Sequence, residues 1–254
     1  MITFCIPLLS RQVASDWDMV TTLFNRTLWS CYNQTCSDFR IIVACHEKPE
    51  LGKEYDDRVE FIQVSSPIPN TQHEKMIDKG YKTHTCAMRL RELGGGYGML
   101  VDADDLVSNR IAEYVAGHPN ENGFYVKDGY VYFVGDNYMK CLNKFSSGTA
   151  FIVNYAIEDL PSVYPDVMTD NNNNNECFMR KRHGSVAIEC AKAGRPLTPL
   201  PWRAAVYVLG SGENHSLYGK TTKYQTWLRG ALQIFMPKYK IKGKLQEEFS
   251  IDWI

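Results

Sequence analysis

Three carboxylates stand within four positions, directly after a short apolar stretch. Residues 97–101 suit a buried strand, and Asp102, Asp104 and Asp105 follow them. Side chains alternate along a strand, so Asp102 and Asp104 share one side if the strand geometry continues. Proteins hold Mg²⁺ or Mn²⁺ with one or two carboxylates, completed by waters and phosphate oxygens. The segment therefore predicts a divalent-cation site, the alternative being an acidic turn in which Asp105 or Ser108 caps the next helix.

A late histidine is a further candidate ligand. His215 lies in a glycine-rich stretch that follows the apolar run 204–209, which we predict to be a strand in or beside the main sheet. Gly210 and Gly212 let the backbone turn tightly and approach a ligand closely. Neutral imidazole can bind Mn²⁺, so we expect His215 to reach the Asp104 site. A solvent-exposed loop histidine is the alternative.

Charged side chains also recur on a long predicted helix, residues 75–93, which the three glycines 94–96 end. Asp78, Lys79 and Lys82 share one helical surface. A lysine there can meet a phosphate as a point charge, and Asp78 can contact another part of the same ligand. A solvated helix face is the alternative.

Predicted strands and helices alternate along the first half of the chain, and they must position the candidate side chains. We predict strands over 2–6, 39–45 and 59–64, and a helix from 17 to 31 preceded by a capping box that starts at Ser15. Such alternation favours an α/β fold with a mostly parallel sheet flanked by helices. Ligands bind beyond the carboxyl ends of such strands. The candidate ligand contacts at that edge are Pro7, Leu8, Arg11, His46, Asp102 and Ala103.

The second half is more mixed. We predict a short helix capped by Ser108, a hairpin over 123–134 around Asp128-Gly129, a strand over 149–153 and a helix over 186–193. The asparagine tract 171–175 predicts a mobile loop that orders over bound ligand. A basic segment, 238–244, stands near the end of the chain.

Composition limits the class of protein. The 254 residues carry a net charge of −1, which gives no argument for a nucleic-acid partner or an anionic membrane. The sequence contains no run of about 18 apolar residues, so we expect no transmembrane segment. Residues 1–6 lack the basic start typical of a signal peptide, and we expect none. Eight cysteines without Cys-x-x-Cys spacing predict reduced thiols in the cytoplasm, Cys5, Cys45 and Cys86 among them as core residues. Cys31 and Cys36 could pair, but no second cluster completes a zinc site.

Several of these segments together resemble a known family. The pieces are the first strand ending at Pro7, Asn33-Gln34-Thr35 after the first helix, the strand 41–43 and Asp102-Ala103-Asp104-Asp105. In this order and spacing the chain resembles GT-A-fold, family-2-like glycosyltransferases, closely over about the first 115 residues and loosely beyond. It departs from many relatives at residues 45–47, where Cys-His-Glu stands in place of an acidic base-contacting residue.

The resemblance implies a GT-A-like, Rossmann-type fold with a smaller, mixed acceptor-side region. Residues 1–115 would bind a nucleoside diphosphate sugar, and residues 116–254 a saccharide or other hydroxyl acceptor. It implies Mn²⁺ or Mg²⁺ at Asp104, with Asp102 binding the metal through water or the ribose, and His215 as a further metal or diphosphate contact. An inverting enzyme also needs a general base, for which His183 and Glu176 are the candidates.

Two other classes of protein remain open. A nucleotidyltransferase on a similar sheet needs a glycine-rich basic loop directly after the first strand, and residues 7–12 contain no glycine. A non-catalytic carbohydrate-binding relative has no need of the Asp102 and Asp104 pair.

Overall fold

The computed structural model describes residues 1–166, 168, 177–210 and 237–251, which form two β-sheets and the helices around them. The strands are β1 (Ile2–Pro7), β2 (Phe39–Cys45), β3 (Val59–Gln63), β4 (Gly96–Leu100), β5 (Leu106–Val107), β6 (Gly123–Tyr125), β7 (Asp128–Phe133), β8 (Tyr138–Asn143), β9 (Phe151–Tyr155), β10 (Thr198–Pro199), β11 (Ala205–Leu209) and β12 (Lys238–Lys240). The α-helices are α1 (Trp17–Tyr32), α2 (Gln72–Glu92), α3 (Ile111–Ala116), α4 (Val186–Lys192) and α5 (Lys244–Glu248).

The larger sheet has the strand order β10-β6-β9-β4-β1-β2-β3. Strands β3, β2, β1 and β4 run parallel, whereas β9 is antiparallel to both of its neighbours. Every residue of β1 is buried, because β1 pairs on both sides and apolar side chains cover both faces of the sheet. The predicted α/β architecture, with a mostly parallel sheet flanked by helices and a smaller mixed region, is confirmed.

The smaller sheet has the order β12-β8-β7-β11-β5, and its placement corrects two predictions. The predicted hairpin over 123–134 is wrong, because β6 pairs with β9 in the larger sheet while β7 pairs with β8 and β11. Gly129 serves packing instead of a turn, since a Cβ there would lie 2.3 Å from a ring carbon of Phe145. The strand near 204–209 belongs to this smaller sheet.

The helix starts also differ from the prediction. Asp16, and not Ser15, caps α1, because its side chain accepts a hydrogen bond from the Met19 N–H at 2.9 Å. Helix α2 begins three residues earlier than predicted, since Thr71 and Glu74 form a capping box.

The cysteines predicted to lie in the core do so. Cys5, Cys45 and Cys86 are buried, and all eight cysteines of the chain are free thiols, Cys31 and Cys36 included. In the part of the chain that the structure describes, no helix is long and apolar enough to cross a bilayer.

Candidate functional site

The acidic segment forms a turn at the carboxyl edge of the larger sheet. Strand β4 ends at Leu100, and the Asp105 N–H donates to the Asp102 carbonyl at 3.0 Å. The alternation argument for Asp102 and Asp104 therefore does not apply. A turn brings their carboxyl groups into electrostatic contact instead.

Asp102 is held from two directions. Its Oδ1 lies 2.5 Å from the ammonium of Lys79, and both side chains are only partly exposed. On the other side lies Gly148, where a Cβ would come within 2.5 Å of both carboxylate oxygens. The Gly148 N–H and the Lys79 ammonium together lower the pKa of Asp102 against the opposing effect of burial. Asp102 is thus ionised and fixed in place.

The surroundings of Asp104 raise its pKa, whereas those of Asp102 lower the pKa of that residue. Burial, and then the negative charge of Asp102, raise the pKa of Asp104 to about 7, although Lys79 acts against this rise. Two carboxyl groups thus share a poorly hydrated turn. Either a proton or a cation relieves their repulsion.

The Asp105 carboxylate accepts hydrogen bonds from distant segments of the chain and does not cap a helix. Its Oδ2 accepts hydrogen bonds from Thr149 at 2.7 Å and from Ser147 at 3.0 Å, and its Oδ1 accepts one from the Val208 N–H at 3.1 Å. Burial and the neighbouring Asp104 raise the pKa of this carboxyl, while the bonds from Thr149 and Val208 lower it. Ser108 does not cap α3 either, because Arg110 is the residue that precedes this helix and no side chain caps it. The Ser108 hydroxyl accepts a bond from the Arg110 N–H at 3.3 Å and donates to Glu248 at 2.6 Å.

Residues of the loop 147–149 were not predicted to contribute to the site. The Thr149 hydroxyl accepts a hydrogen bond from the Asp102 N–H at 3.0 Å and donates its own proton to Asp105. It therefore connects two of the three aspartates. The available signal was a glycine between small polar residues just before a strand, which is typical of a close backbone approach.

One stripe of helix α2 connects the acidic turn with the loops of the parallel strands. Lys75 donates to the Val13 carbonyl at 3.0 Å, in the loop that follows β1. Lys79, one turn later, bonds to Asp102 beyond β4. Asp78 accepts a hydrogen bond at 3.1 Å from Ser66, which follows β3. The start of α2 therefore holds three exit loops at one edge.

Beneath this stripe lies a buried polar cluster. Lys82 and Asp78 are 1% and 5% exposed, and their charged atoms lie 2.6 Å apart. His46 Nε2 donates to the Ser66 carbonyl at 2.9 Å, and His46 Nδ1 is buried without a hydrogen-bond partner in the described part of the chain. A solvated helix face, the alternative for Asp78 and Lys82, does not match this burial.

The predicted contacts after β1 lie at the same edge. Pro7 and Leu8 are buried, and the Leu8 N–H donates to the Ala44 carbonyl at 2.9 Å. Arg11 has an exposed side chain, and its N–H donates to Glu47. Ser10 also donates to Glu47, at 3.1 Å. Glu47 therefore ties the loop after β2 to the loop after β1.

Of the two candidate bases, the structure describes His183. This side chain is exposed, and it is close enough to Asp102 and Lys79 to interact with both charges. Its pKa is lowered, chiefly by partial removal from water. Glu176, His215 and the asparagine tract 171–175 lie outside the described residues. Within the described ranges, no group of three His, Cys, Asp or Glu side chains is placed to hold a metal ion.

Comparison with known proteins gives no match in sequence and distant similarity in structure. No protein-family model matches the sequence, and no curated protein matches it. The crystal structure of S. aureus TarS is similar over 82% of this chain and 36% of its own length, with 10% identity and a TM-score of 0.46. A nucleoside-diphosphate-sugar pyrophosphorylase from Vibrio cholerae RC9 is similar over 82% of this chain and 92% of its own, with 12% identity and a TM-score of 0.34. This chain spans about a third of the length of TarS. At these identities and TM-scores, neither similarity identifies the function of this chain.

Proposed function

We propose that the protein is a metal-dependent glycosyltransferase. It moves a sugar from a nucleoside diphosphate donor to the hydroxyl of a saccharide or another acceptor. The observation that supports this proposal is the contact between Lys79 and the acidic turn, at the edge where the parallel strands end. Ligands of such sheets bind at that edge, and a diphosphate needs both a cation and a positively charged side chain there.

The residues at the turn fit Mg²⁺ or Mn²⁺. Asp102 and Asp104 supply the one or two carboxylates that proteins commonly use, and phosphate oxygens and water complete the shell. Burial, and then the negative charge of Asp102, raise the pKa of Asp104, and a bound cation would offset both effects by stabilising the ionised carboxylate. When bound, the ion would stabilise the charge that develops on the departing diphosphate.

The remaining contacts divide into binding and positioning roles. In this proposal Lys79 binds the diphosphate, Pro7 and Leu8 line the nucleotide site by backbone, and Arg11 reaches it with an exposed guanidinium. Asp78, Lys82 and His46, expected as direct nucleotide contacts, are largely buried. We therefore assign them a positioning role, in which they hold α2 against the loops that follow β2 and β3, so that Lys79 on the same helix stays beside the acidic turn that contains Ala103.

His183 is the proposed general base for the acceptor hydroxyl. Its lowered pKa leaves the imidazole neutral near pH 7, the form that accepts a proton. Its exposure allows an acceptor to approach it. Glu176 stays the rival base, and His215 stays a proposed further ligand of the metal or the diphosphate.

Residues 1–115 bind the donor, while residues 116–254 shape the acceptor pocket. The protein works in the cytoplasm, which suits its eight free thiols.

The proposal is tested by donor hydrolysis and by the products of transfer. A panel of nucleotide sugars is first screened by thermal shift, because a ligand that binds only the folded state raises the melting temperature. Hydrolysis of each hit is then measured with and without Mn²⁺, for wild type and Asp104→Asn. Release of nucleoside diphosphate that needs both Mn²⁺ and Asp104 supports the proposal. Release of pyrophosphate when a nucleoside triphosphate and a sugar 1-phosphate are supplied instead identifies a nucleotidyltransferase, and binding without any turnover identifies a carbohydrate-binding protein.

A further inference from the structure

A buried histidine of α2 contacts two segments that lie far from it in the sequence. His84 is 1% exposed, and its Nε2 lies 2.9 Å from the Val163 carbonyl oxygen, in the loop that follows β9. Its Nδ1 lies 3.3 Å from Nη1 of Arg180, in the short 3-10 helix Phe178–Arg180. One side chain therefore connects α2 to both segments.

These two partners determine the protonation state of His84. A backbone carbonyl can only accept a hydrogen bond, so Nε2 must carry a proton. A guanidinium can only donate, so Nδ1 must present its lone pair to Arg180. A charged imidazole would instead turn an N–H towards the Arg180 cation. His84 is thus held as the neutral Nε2–H tautomer, in one orientation.

An aromatic ring holds the loop side of this contact. The Tyr164 ring stacks on His84 with centroids 5.4 Å apart, and on Tyr81 with centroids 4.6 Å apart. The Tyr164 hydroxyl forms a hydrogen bond of 2.8 Å with the Thr85 hydroxyl. Three side chains of α2 thus bind the loop after β9, so the Val163 carbonyl that orients His84 is itself held in place.

The segment of Arg180 is fixed by the sheet as well as by α2. The Arg180 side chain is fully buried, and Met179 packs on β4, since a Cβ at Gly98 would come within 3.0 Å of the Met179 side chain. An apolar side chain in place of Arg180 would bury this segment at lower cost. A satisfied polar contact adds specificity instead, because it holds the segment at one position relative to α2.

The segment that His84 holds leads directly to the proposed general base. His183 stands three residues after Arg180. It lies close enough to Asp102 and Lys79 to interact with both charges. Lys79 stands five residues before His84 on α2, where it bonds to Asp102. The same helix therefore contacts the acidic turn through one side chain and the segment of the base through another.

We propose that His84 is a positioning residue, which holds His183 beside the acidic turn through its hydrogen bond to Arg180. The inference rests on the proposed function for the role of His183 as the base. His84 is buried and takes no part in the chemistry itself. Because α2 also carries Lys79, one helix sets the distance between the proposed diphosphate contact and the base.

Two amide substitutions separate the two hydrogen bonds of His84. The amide of His84→Asn reaches the place of Nδ1, so its oxygen can still accept from Arg180. The amide of His84→Gln reaches the place of Nε2, so its nitrogen can still donate to the Val163 carbonyl. If the bond to Arg180 positions His183, the asparagine variant keeps that position and the glutamine variant loses it.

The kinetics of Mn²⁺-dependent donor hydrolysis, in which water replaces the acceptor, give the first measurement. We expect His84→Gln to lower kcat about tenfold to a hundredfold with the donor KM unchanged, because the base is misplaced while the donor site is intact. His84→Asn is expected to keep most of the wild-type kcat. Thr85→Val is the matched control, since it removes the bond to Tyr164 on the same helix and leaves Arg180 in place. Equal losses of kcat in His84→Asn and His84→Gln would overturn the proposal.

Hydrogen exchange gives a second measurement that needs no activity. The Arg180 N–H donates to the Cys177 carbonyl at 3.0 Å, so its exchange rate reports the order of this segment. We expect exchange about tenfold faster than in wild type for His84→Gln and unchanged for His84→Asn, while α2 stays protected. Wild-type exchange in His84→Gln would overturn the proposal. If no nucleotide sugar is hydrolysed, the proposed function fails, while faster exchange in the glutamine variant still supports placement of the segment by His84. Arg180→Met removes the same bond from the other side and replaces His84→Gln if that variant does not fold.

Discussion

The ammonium of Lys79 lies 2.5 Å from Asp102 Oδ1, so the first carboxylate of the acidic turn already has a cationic partner. A divalent ion that binds the turn must compete with this ammonium or share the carboxylate with it. In the proposed enzyme the donor resolves the competition, because its diphosphate gives Lys79 a new anionic partner.

Lys79→Met is expected to change cation and donor binding in opposite directions. Without the ammonium, Asp102 is free for Mn²⁺, so Mn²⁺ affinity without donor should rise about tenfold. Donor affinity should fall by a similar factor, since a charge-assisted contact is lost. Calorimetric titrations measure both. Lys75→Met is the control, since Lys75 lies on the same helix but bonds to the Val13 carbonyl. Equal losses in both titrations would show that Lys79 does not compete with the cation.

Gly148→Ala is expected to abolish the response to Mn²⁺ while the protein stays folded. The new Cβ would meet both Asp102 oxygens at 2.5 Å, so the carboxylate must leave its present position. Gly117→Ala is the matched control, because a Cβ there meets its nearest atoms at an ordinary 3.5 Å. Circular dichroism and Mn²⁺ titration compare the two variants. Wild-type Mn²⁺ binding by Gly148→Ala would mean that Asp102 does not hold the ion.

Asp104→Asn is expected to stabilise the metal-free protein at pH 8 more than at pH 5. The folded-state pKa of about 7 lies above the ordinary 3.8, so ionising Asp104 costs folding free energy as the pH rises through this window. At pH 8 the asparagine removes that whole cost, whereas at pH 5 the folded carboxyl is already protonated. Thermal melts at both pH values, with chelator present, measure the difference. A smaller gain at pH 8 than at pH 5 would contradict the raised pKa.

The same titration predicts how Mn²⁺ binding depends on pH. The ion requires Asp104 in its ionised form, so a proton competes with it below about pH 7. The apparent Mn²⁺ affinity of wild type should therefore fall about tenfold for each pH unit below that point. Asp104→Asn should lack this dependence, which titrations between pH 5.5 and 8 would reveal.

Lys82→Met is expected to lower the free energy of unfolding by about 3–5 kcal/mol, because it leaves the buried Asp78 carboxylate without its ammonium partner. The double variant Asp78→Leu with Lys82→Met removes both charges and should recover most of that loss. Urea denaturation measures all three proteins. If the double variant loses as much as the single one, packing and not charge pairing makes the larger contribution.

Local patterns predicted much of this structure, and distant contacts account for what they missed. The strand over 39–45 follows from an apolar run, and the end of α2 follows from Gly94, which has a φ of +94°. The Asp128-Gly129 pair has the composition of a hairpin turn, yet pairing with β8 and β11 draws it into the other sheet. Such pairing depends on residues far along the chain.

The site shows the same division. In the sequence, the acidic turn can be recognised as a cluster of aspartates. The side chain that links two of these aspartates, Thr149, cannot be recognised there. Thr149 stands 47 residues after Asp102, in a segment of the sequence that contains no charged residue. Its role follows only from the place of β9 beside β4.

The reversed strand β9 has a consequence for how the protein is made. It lies between β4 and β6, so a ribosome must release residues 151–155 before the larger sheet can close. The bond from Val208 to Asp105 forms later still. The first 115 residues alone leave one edge of β4 unpaired and Asp105 without its partners. A nascent chain of that length should therefore engage chaperones and bind no donor, although it already contains every aspartate of the site.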